Sequence, residues 1–173
     1  MSNNRMPGTL TSTIRAATSA DISRIVLLER QSPAAAHWSE HQYEQLFRAV
    51  SSAERLVLVT EAALHLGSDP DDNPDSAIAL VGFLVARHAA AEWELENIVV
   101  AAAARNRGLG KRLLEALLAR LRETGESVFL EVRASNLAAR TLYERAGFRQ
   151  TGCRESYYTD PPEDAVLYRW NVS

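Results

Sequence analysis

The chain has 173 residues, enough to bury a hydrophobic core within one domain, and its 46% hydrophobic and 24% charged residues are typical of a soluble globular protein. A net charge of −3 argues against a broad basic surface for nucleic acid, and no apolar run approaches the roughly 20 residues that span a bilayer. The single cysteine, Cys153, has no intramolecular partner, so we expect a cytoplasmic protein without nucleic-acid or membrane partners.

The order of helical and strand-like patterns predicts a mixed α/β fold. Residues 1–12 lack the apolar core of a signal peptide and are expected to form a flexible tail, leaving residues 13–173 as a single domain. Hydrophobic periodicity, turn residues and capping residues define the elements. In chain order they are a strand Thr13–Arg15, a helix capped by Thr18 or Ser19, a helix from Ser39 or Glu40 to Ala49, strands Leu56–Leu64, Ile78–His88 and Glu92–Val100, a helix Leu109–Glu123, a strand Val128–Arg133, a helix Asn136–Ala146, and strands Phe148–Glu155 and Ala165–Asn171.

A basic, glycine-containing turn separates the strand Glu92–Val100 from the leucine-rich helix that follows. Two glycines let the backbone approach a ligand closely, and the first turn of a helix offers unpaired N–H groups to an anion. The turn is not a P-loop, because Arg112 rather than Ser or Thr follows Lys111, and it is not a dinucleotide fingerprint, because Leu113 replaces the third glycine. The turn alone leaves two interpretations open, a solvated basic helix start and a pyrophosphate site.

Two segments resemble a known family. The pattern Arg-x-x-Gly-x-Gly at Arg105–Gly110 resembles the acetyl-CoA pyrophosphate loop of the GNAT family of N-acetyltransferases, and LEVRASNLAARTLYERAGF, Leu130–Phe148, resembles the last motif of that family. The second segment is most similar to the RimI-type subfamily, the bacterial ribosomal-protein-alanine N-acetyltransferases, as are HWSE and YYTDPPEDAVLY. The resemblance covers Thr13 to Asn171, and departs from the family where Ala101-Ala102 replaces an Asp-Pro pair.

The resemblance implies a GNAT fold, a central, mostly antiparallel twisted sheet flanked by helices, with acetyl-CoA as cosubstrate and no metal. The cosubstrate would contact the turn and the backbone of the preceding strand, with Asn136 binding the pantetheine arm. The cofactor-binding residues expected on this basis are Ile98, Val99, Val100, Arg105, Asn106, Arg107, Gly108, Leu109, Gly110, Lys111 and Asn136.

Acetyl transfer from a thioester to an amine requires removal of a proton from the amine and donation of a proton to the leaving sulfur. Strand alternation turns Glu131 away from the apolar face of its strand, and helical spacing puts Asn136 and Tyr143 on one stripe. Glu131 is therefore the candidate general base and Tyr143 the candidate general acid, an assignment that the resemblance also implies. Glu96 is a second candidate carboxylate and a possible substrate contact.

Both catalytic candidates have a structural alternative. A strand glutamate beside Arg133 is often half of a surface ion pair, and a helix tyrosine is often part of the core with its hydroxyl in water. Considered singly, each alternative is favoured. The joint occurrence of Glu131, Asn136 and Tyr143 after the basic glycine turn favours the catalytic interpretation.

The acceptor predicted by the resemblance is the N-terminal α-amine of a protein, in particular a small-subunit ribosomal protein that begins with alanine. Two other classes stay open, a small-molecule amine acetyltransferase of the same fold and a non-catalytic acyl-CoA-binding module. The acceptor would enter between the Trp38–Tyr43 segment and the Tyr157–Asp164 loop. Trp38 and Tyr43 are expected to contact the substrate from the first segment. Tyr157 and Tyr158 would supply aromatic walls, and Glu163 and Asp164 carboxylates for a basic peptide, although a solvated loop with two packed tyrosines fits equally well.

Two motifs imitate metal sites. HWSEH, His37–His41, matches the H-x-x-E-H pattern of some zinc peptidases, but a proline lies just upstream and a third ligand is not evident. DPDDNPD, Asp69–Asp75, begins like a calcium loop but has Pro74 where the loop needs glycine. We interpret both as false matches and predict no metal site.

Overall fold

The structure is a computed structural model that describes residues 12–33, 35–36, 38–48, 55–63, 78–89 and 92–172. Its strands are β1 Ser12–Ala16, β2 Arg55–Ala63, β3 Ile78–Ala89, β4 Glu92–Val100, β5 Val128–Arg133, β6 Arg149–Thr159 and β7 Pro162–Trp170. Its α-helices are α1 Ile22–Arg30, α2 Glu40–Arg48, α3 Leu109–Thr124 and α4 Leu137–Arg145. The strands form one sheet in the order β1-β2-β3-β4-β5-β7-β6, antiparallel except between β4 and β5. The predicted mixed α/β fold is confirmed.

The helices cover the two faces of the sheet. On one face the leucine stripe of α3 is buried, as its helical spacing predicted, and it packs with residues of α4, β5 and β7 such as Tyr143, Leu130 and Tyr168. On the other face α1 and α2 bury Ile25 and Tyr43 against the middle strands. We call these the α3 face and the α1 face.

The middle of the sheet opens between β4 and β5. These parallel strands pair only through Trp93 with Val128 and Glu94 with Phe129, and both strands are wholly described. Beyond Glu94 they separate, while β4 stays paired with β3 to Val100 and β5 stays paired with β7 to Arg133. The gap exposes main-chain groups of β4 that a closed sheet would pair.

A β-bulge lies where this gap begins. Ala86 of β3 pairs with Leu95 and Val85 pairs with Asn97, so Glu96 is an extra residue in β4. The bulge interrupts the two-residue alternation, since Leu95 packs on the α3 face whereas Asn97 contacts residues of α1 and α2. Strict alternation would have placed both side chains on one face.

The start of α1 is fixed by a buried carboxylate. Asp21 is 1% exposed and accepts hydrogen bonds from Arg15, from the main-chain N–H of Thr18 and from Arg24. Arg15 and Arg24 also pair with Glu61 of β2. The Arg15 hydrogen bonds, followed by those of Thr18 and Arg24, hold the pKa of Asp21 well below its usual range.

Several predicted boundaries are wrong. β6 and β7 run to Thr159 and from Pro162, so the expected Tyr157–Asp164 loop is the end of a long hairpin whose alternation is hidden by a register shift between Arg154 and Tyr158. Ser12, assigned to the tail, begins β1 and accepts a hydrogen bond from Arg112. The remaining tail, His37 and the segment 69–75 lie outside the described residues. Among the described helices, none combines the length and apolar composition needed to span a membrane.

Candidate active site

A cleft of about 250 Å³ occupies the gap between β4 and β5. It is lined from four directions, by β4, by β5, by α4 and β6, and by the segment that follows α1. The predicted site residues that line it are Glu96, Ile98, Glu131, Asn136, Tyr143 and Tyr158. The residues expected to remove and donate protons therefore share one cavity.

Glu131 points to the α1 face because β5 alternates as predicted, with Val128, Leu130 and Val132 buried on the α3 face. Its carboxylate forms an ion pair with Arg154, Nη1 to Oε1 at 2.9 Å, and a hydrogen bond with the Tyr157 hydroxyl. This hydrogen bond raises the pKa of Tyr157. Two groups from β6 thus orient the carboxylate toward the cleft.

Arg133 does not form the surface ion pair with Glu131 that the sequence offered as an alternative to a catalytic role. Its guanidinium pairs with Glu163 and donates to the carbonyls of Asp160 and Pro161, so it fastens the end of the β6–β7 hairpin to β5. The ring of Tyr158 lies 4.1 Å from this guanidinium and lines the cleft.

Tyr143 lies on the other side of the cleft. It is 6% exposed and its ring packs against Phe148 and Tyr168, at centroid distances of 5.7 and 6.2 Å. Burial raises the pKa of its hydroxyl, so the group stays protonated at neutral pH and is available as a donor. Tyr143 therefore belongs to the core and also lines the cleft.

Glu96, the second carboxylate, is held by two arginines, Arg87 of the adjacent strand β3 and Arg55 of β2 beyond it. Arg55 and Arg87 each donate to it at 3.0 Å, and its side chain is 14% exposed. Burial nevertheless raises its pKa, against the effect of the two cations. Glu96 therefore lines the same cleft as Glu131 but has both carboxylate oxygens engaged.

Asn136 is the N-cap of α4. Its Oδ1 accepts from the main-chain N–H of Ala139 at 3.2 Å, which leaves the Nδ2 group as the part of the side chain that can bind a ligand. Of the predicted strand contacts, Ile98 lines the cleft, whereas the side chain of Val99 is buried on the α1 face. Any contact of Val99 with a ligand is therefore through its main chain.

The glycine turn presents the start of α3. Gly108 is the N-cap with φ 77°, and Asn106 also has a positive φ of 60°, so the chain reverses sharply into the helix. The first helical hydrogen bond runs from Arg112 N to Gly108 O, which leaves the N–H groups of the first turn, including Leu109 and Gly110, for a ligand. A Cβ at Gly110 would lie 3.1 Å from Leu142, so this glycine permits α3 to pack on α4.

The three basic side chains of the turn are exposed, but two have partners. Arg105 donates from Nε to the carbonyl of Val100 at 3.1 Å, and Lys111 pairs with Glu115 one helical turn later at 3.3 Å. Arg107 is also exposed. The turn combines free helix N–H groups with three cations, the properties of an anion site.

The segment after α1 contributes different residues to the cleft from those predicted. Tyr43 is fully buried and cannot be a wall of the cleft; its hydroxyl accepts from Asn97 Nδ2 at 3.2 Å. Trp38 packs on Tyr43 with ring centroids 5.4 Å apart and belongs to the margin of the core. The segment contributes Ala35 and Ala36 to the cleft instead. The prediction that Tyr43 contacts a substrate is therefore wrong, because its side chain is fully buried.

The end of the β6–β7 hairpin also differs. Glu163 accepts from the main-chain N–H of Ser135 at 2.5 Å and from Arg133, and Asp164 accepts from Ser156 N at 2.8 Å. These carboxylates stabilise the hairpin and are not free to bind a basic peptide. Tyr157 is 46% exposed beside the cleft, consistent with an aromatic wall.

Two features of the site are not apparent from local sequence patterns. The first is the buried contact of Asn97 with Glu29, whose side chain is 1% exposed; a polar residue in the alternating pattern WELENIVV is the available signal. The second is Arg154, which reaches Glu131 from a strand that does not adjoin β5. Only the strand order brings these two residues together.

Comparisons with known proteins indicate the family of this chain. Residues 24–148 match the Acetyltransferase (GNAT) family. The chain is 39% identical over 97 residues to the ribosomal protein bS18-alanine N-acetyltransferase of Escherichia coli (strain K12), covering 54% of this chain and 66%, just under two thirds, of that enzyme. It is 37% identical over 132 residues to the enzyme of the same name from Haemophilus ducreyi, covering 73% and 87%.

Solved structures extend the likeness to nearly the whole chain. The ribosomal-protein-S18-alanine N-acetyltransferase from Escherichia coli superposes with a TM-score of 0.73 at 28% identity, over 94% of this chain and 95% of that one. Arabidopsis thaliana NAA60 in complex with acetyl-CoA has the same fold, with a TM-score of 0.76 at 17% identity over 94% and 99%. Since the family match alone spans more than half of the residues, the chain belongs to the acetyltransferase (GNAT) family.

Proposed function

We propose that this chain transfers the acetyl group of acetyl-CoA directly to the α-amine of a protein N-terminus, with Glu131 as general base and Tyr143 as general acid. The observation that carries the proposal is that these two side chains line one cleft between β4 and β5, each from a different side of the gap. The glycine turn follows β4 after one short 3-10 turn, Ala102–Ala104.

The fit of the cosubstrate to these residues supports the proposal. The N–H groups at the start of α3, with Arg105, Arg107 and Lys111, would hold the pyrophosphate, because a helix N-terminus and nearby cations favour an anion. Main-chain groups of Ile98–Val100 and the Nδ2 of Asn136 would bind the pantetheine arm beside the gap. Acetyl-CoA supplies an activated thioester, and the remaining steps belong to the protein.

In the proposed reaction the nitrogen–carbon bond forms and the carbon–sulfur bond breaks. Glu131 takes the proton that the amine loses, directly or through a water molecule, and the Tyr143 hydroxyl gives a proton to the departing thiolate. The burial that raises the pKa of Tyr143 keeps this proton in place until the sulfur departs. No covalent acetyl-enzyme is required, since both reactants reach the same cleft.

The choice of an α-amine follows from chemistry and from the relatives. An α-amino group has a pKa of about 7.7–8.0, against about 10.4 for lysine, so a carboxylate base deprotonates it more easily. The small side chains of Ala35 and Ala36 and the cleft of about 250 Å³ favour a small first residue. The name of the Escherichia coli relative points to alanine on a ribosomal protein, and we propose the same class of acceptor, which implies a cytoplasmic reaction.

The test is a mass-spectrometric assay of acetyl transfer with three acceptors: a peptide that begins with alanine, the same peptide with a blocked N-terminus and a free lysine, and spermidine. Transfer to the free α-amine at the highest rate supports the proposal. Preference for the blocked peptide or for spermidine would instead assign the protein to lysine or to small-molecule acetylation, and acetyl-CoA binding without transfer would indicate a binding module.

A further inference from the structure

The contact between Arg154 and Glu131 crosses an entire strand. Arg154 of β6 and Arg133 of β5 both pair with Ala165 of β7, which lies between them. Neighbouring strands lie about 4.8 Å apart, so the backbones of β6 and β5 are roughly 10 Å apart, and the Arg154 and Glu131 side chains together span this distance. Ala165 is fully buried, and its methyl group is too small to obstruct this path.

The ion pair covers the carboxylate from the solvent side. The Arg154 side chain is 54% exposed whereas that of Glu131 is 13% exposed, so the guanidinium lies above the carboxylate on the α1 face. The guanidinium also lies 5.4 Å from the ring centroid of Tyr157. Because a pair with one partner this exposed contributes little to stability, it opens at small cost.

Arg154 is the one cation paired with Glu131 among the described residues. The other arginines near the cleft are engaged elsewhere, Arg133 by Glu163 and both Arg55 and Arg87 by Glu96. The titratable groups that share the cleft with Glu131 or contact it are Arg133 of β5, Glu96 of β4, Tyr143 of α4 and Arg154, Tyr157 and Tyr158 of β6. An incoming cation must therefore compete with Arg154 for this carboxylate.

We propose that Arg154 is a displaceable cap on Glu131, a positioning residue that pairs with the carboxylate while the acceptor site is empty and gives way to the ammonium of the acceptor when it binds. The inference rests on the proposed function, because it identifies the ammonium as the α-amine of the acceptor. No covalent bond changes in this step, since one cation replaces another on the same carboxylate. Glu131 is then paired both before and after acceptor binding.

The exchange selects acceptors by charge. An amine that arrives protonated replaces the guanidinium at almost constant electrostatic cost, whereas a neutral group of the same size would leave Arg154 on the carboxylate. The site therefore favours cationic amines over hydroxyls and over blocked N-termini. Competition from Arg154 weakens acceptor binding by a modest factor.

The test compares Arg154→Met with Arg149→Met, which removes an exposed arginine from the start of the same strand. Calorimetry in the presence of CoA measures the Kd of a ten-residue peptide that begins with alanine, with its N-terminus free or acetylated. Removal of the competing cation should tighten binding of the free peptide about two- to fivefold, as for an exposed ion pair. The acetylated peptide should bind both variants and the native protein equally.

The proposal would be overturned if the free peptide bound Arg154→Met no more tightly than it binds the native protein. It would also be overturned if the free peptide bound neither the native protein nor Arg154→Met. An equal gain for the acetylated peptide would also overturn it, because the effect would then not depend on the ammonium. Urea unfolding of both variants identifies a change in fold. The binding measurement is independent of acetyl transfer, so failure of the proposed activity and failure of this inference are distinguishable.

Discussion

Asn97 donates from Nδ2 to Oε1 of Glu29 at 2.8 Å, and this bond joins β4 to α1 directly beneath the cleft. We expect Asn97→Ala to lower the free energy of unfolding by about 1–3 kcal/mol, because the buried Glu29 side chain loses one of its donors and keeps the Tyr43 hydroxyl. Urea unfolding measures the change. In a Glu29→Gln background the cost of Asn97→Ala should be smaller, since a buried amide loses less than a buried carboxyl group when one donor is removed. Strictly additive effects would contradict this coupling.

Glu131→Gln should lower the rate of acetyl transfer about 10²–10⁴-fold, because the amine loses its base. The affinity for acetyl-CoA should stay near its native value, since Glu131 faces the acceptor side. Steady-state kinetics and calorimetry measure the two quantities. Glu96→Gln is the matched control, a carboxylate of the same cleft that Arg55 and Arg87 already hold. A larger rate loss in Glu96→Gln than in Glu131→Gln would exchange their roles.

Tyr143→Phe should also slow transfer, because the leaving thiolate loses a proton donor while the ring contacts with Phe148 and Tyr168 remain. The measurement compares two thioester donors whose leaving thiols differ in pKa. The variant should lose most with the more basic thiol, which needs the proton most. An equal loss with both donors would show that the hydroxyl does not assist departure.

Gly108→Val tests the anion site with an internal control at the other end of α3. Gly108 and Gly125 have φ angles of 77° and 75°, and a Cβ at either would meet no atom within 4 Å. Valine at either position therefore introduces similar strain, about 1–2 kcal/mol for the left-handed conformation. Thermal unfolding should show similar losses, but only Gly108→Val should lose acetyl-CoA affinity in calorimetry. Equal affinities for the two variants would contradict the site.

Asp21 should give the protein an acid-sensitive component of stability. The Arg15 and Arg24 contacts and the Thr18 N–H hold its pKa below its usual value of about 3.9. A carboxyl group with a lowered folded-state pKa stabilises the fold above the unfolded-state value, and this contribution is lost as the pH falls below about 4. The free energy of unfolding, measured with urea, should therefore fall less steeply between pH 6 and pH 3 for Asp21→Asn than for the native protein. Parallel pH profiles would contradict this assignment.

Local periodicity was sufficient to predict α3, β5 and α4 and the faces that their side chains occupy. The leucine stripe of α3 and the alternation of β5 each repeat without interruption, so the orientation of Glu131 could be read from the sequence. The position of Tyr143 on α4 follows in the same way from helical spacing. These residues obey one period along their whole element.

Sequence reasoning failed where the period changes or where distant strands meet. The register shift between Arg154 and Tyr158 hid the true end of β6, and the bulge at Glu96 turned Asn97 to the α1 face. The hydrogen bond that the buried Tyr43 hydroxyl accepts from Asn97 therefore depends on that bulge. The Arg154–Glu131 contact depends on strand order, which no local pattern encodes.

The bulge at Glu96 has a consequence for how the length of β4 can vary. Because Glu96 is one residue more than the ladder with β3 requires, its deletion would leave Leu95 and Asn97 on the faces that they now occupy. A further single-residue insertion or deletion elsewhere in β4 would turn the side chains on one side of the change to the opposite face. Relatives whose β4 is one residue shorter are therefore expected to lack the bulge residue itself, with the hydrophobic pattern on either side of it unchanged.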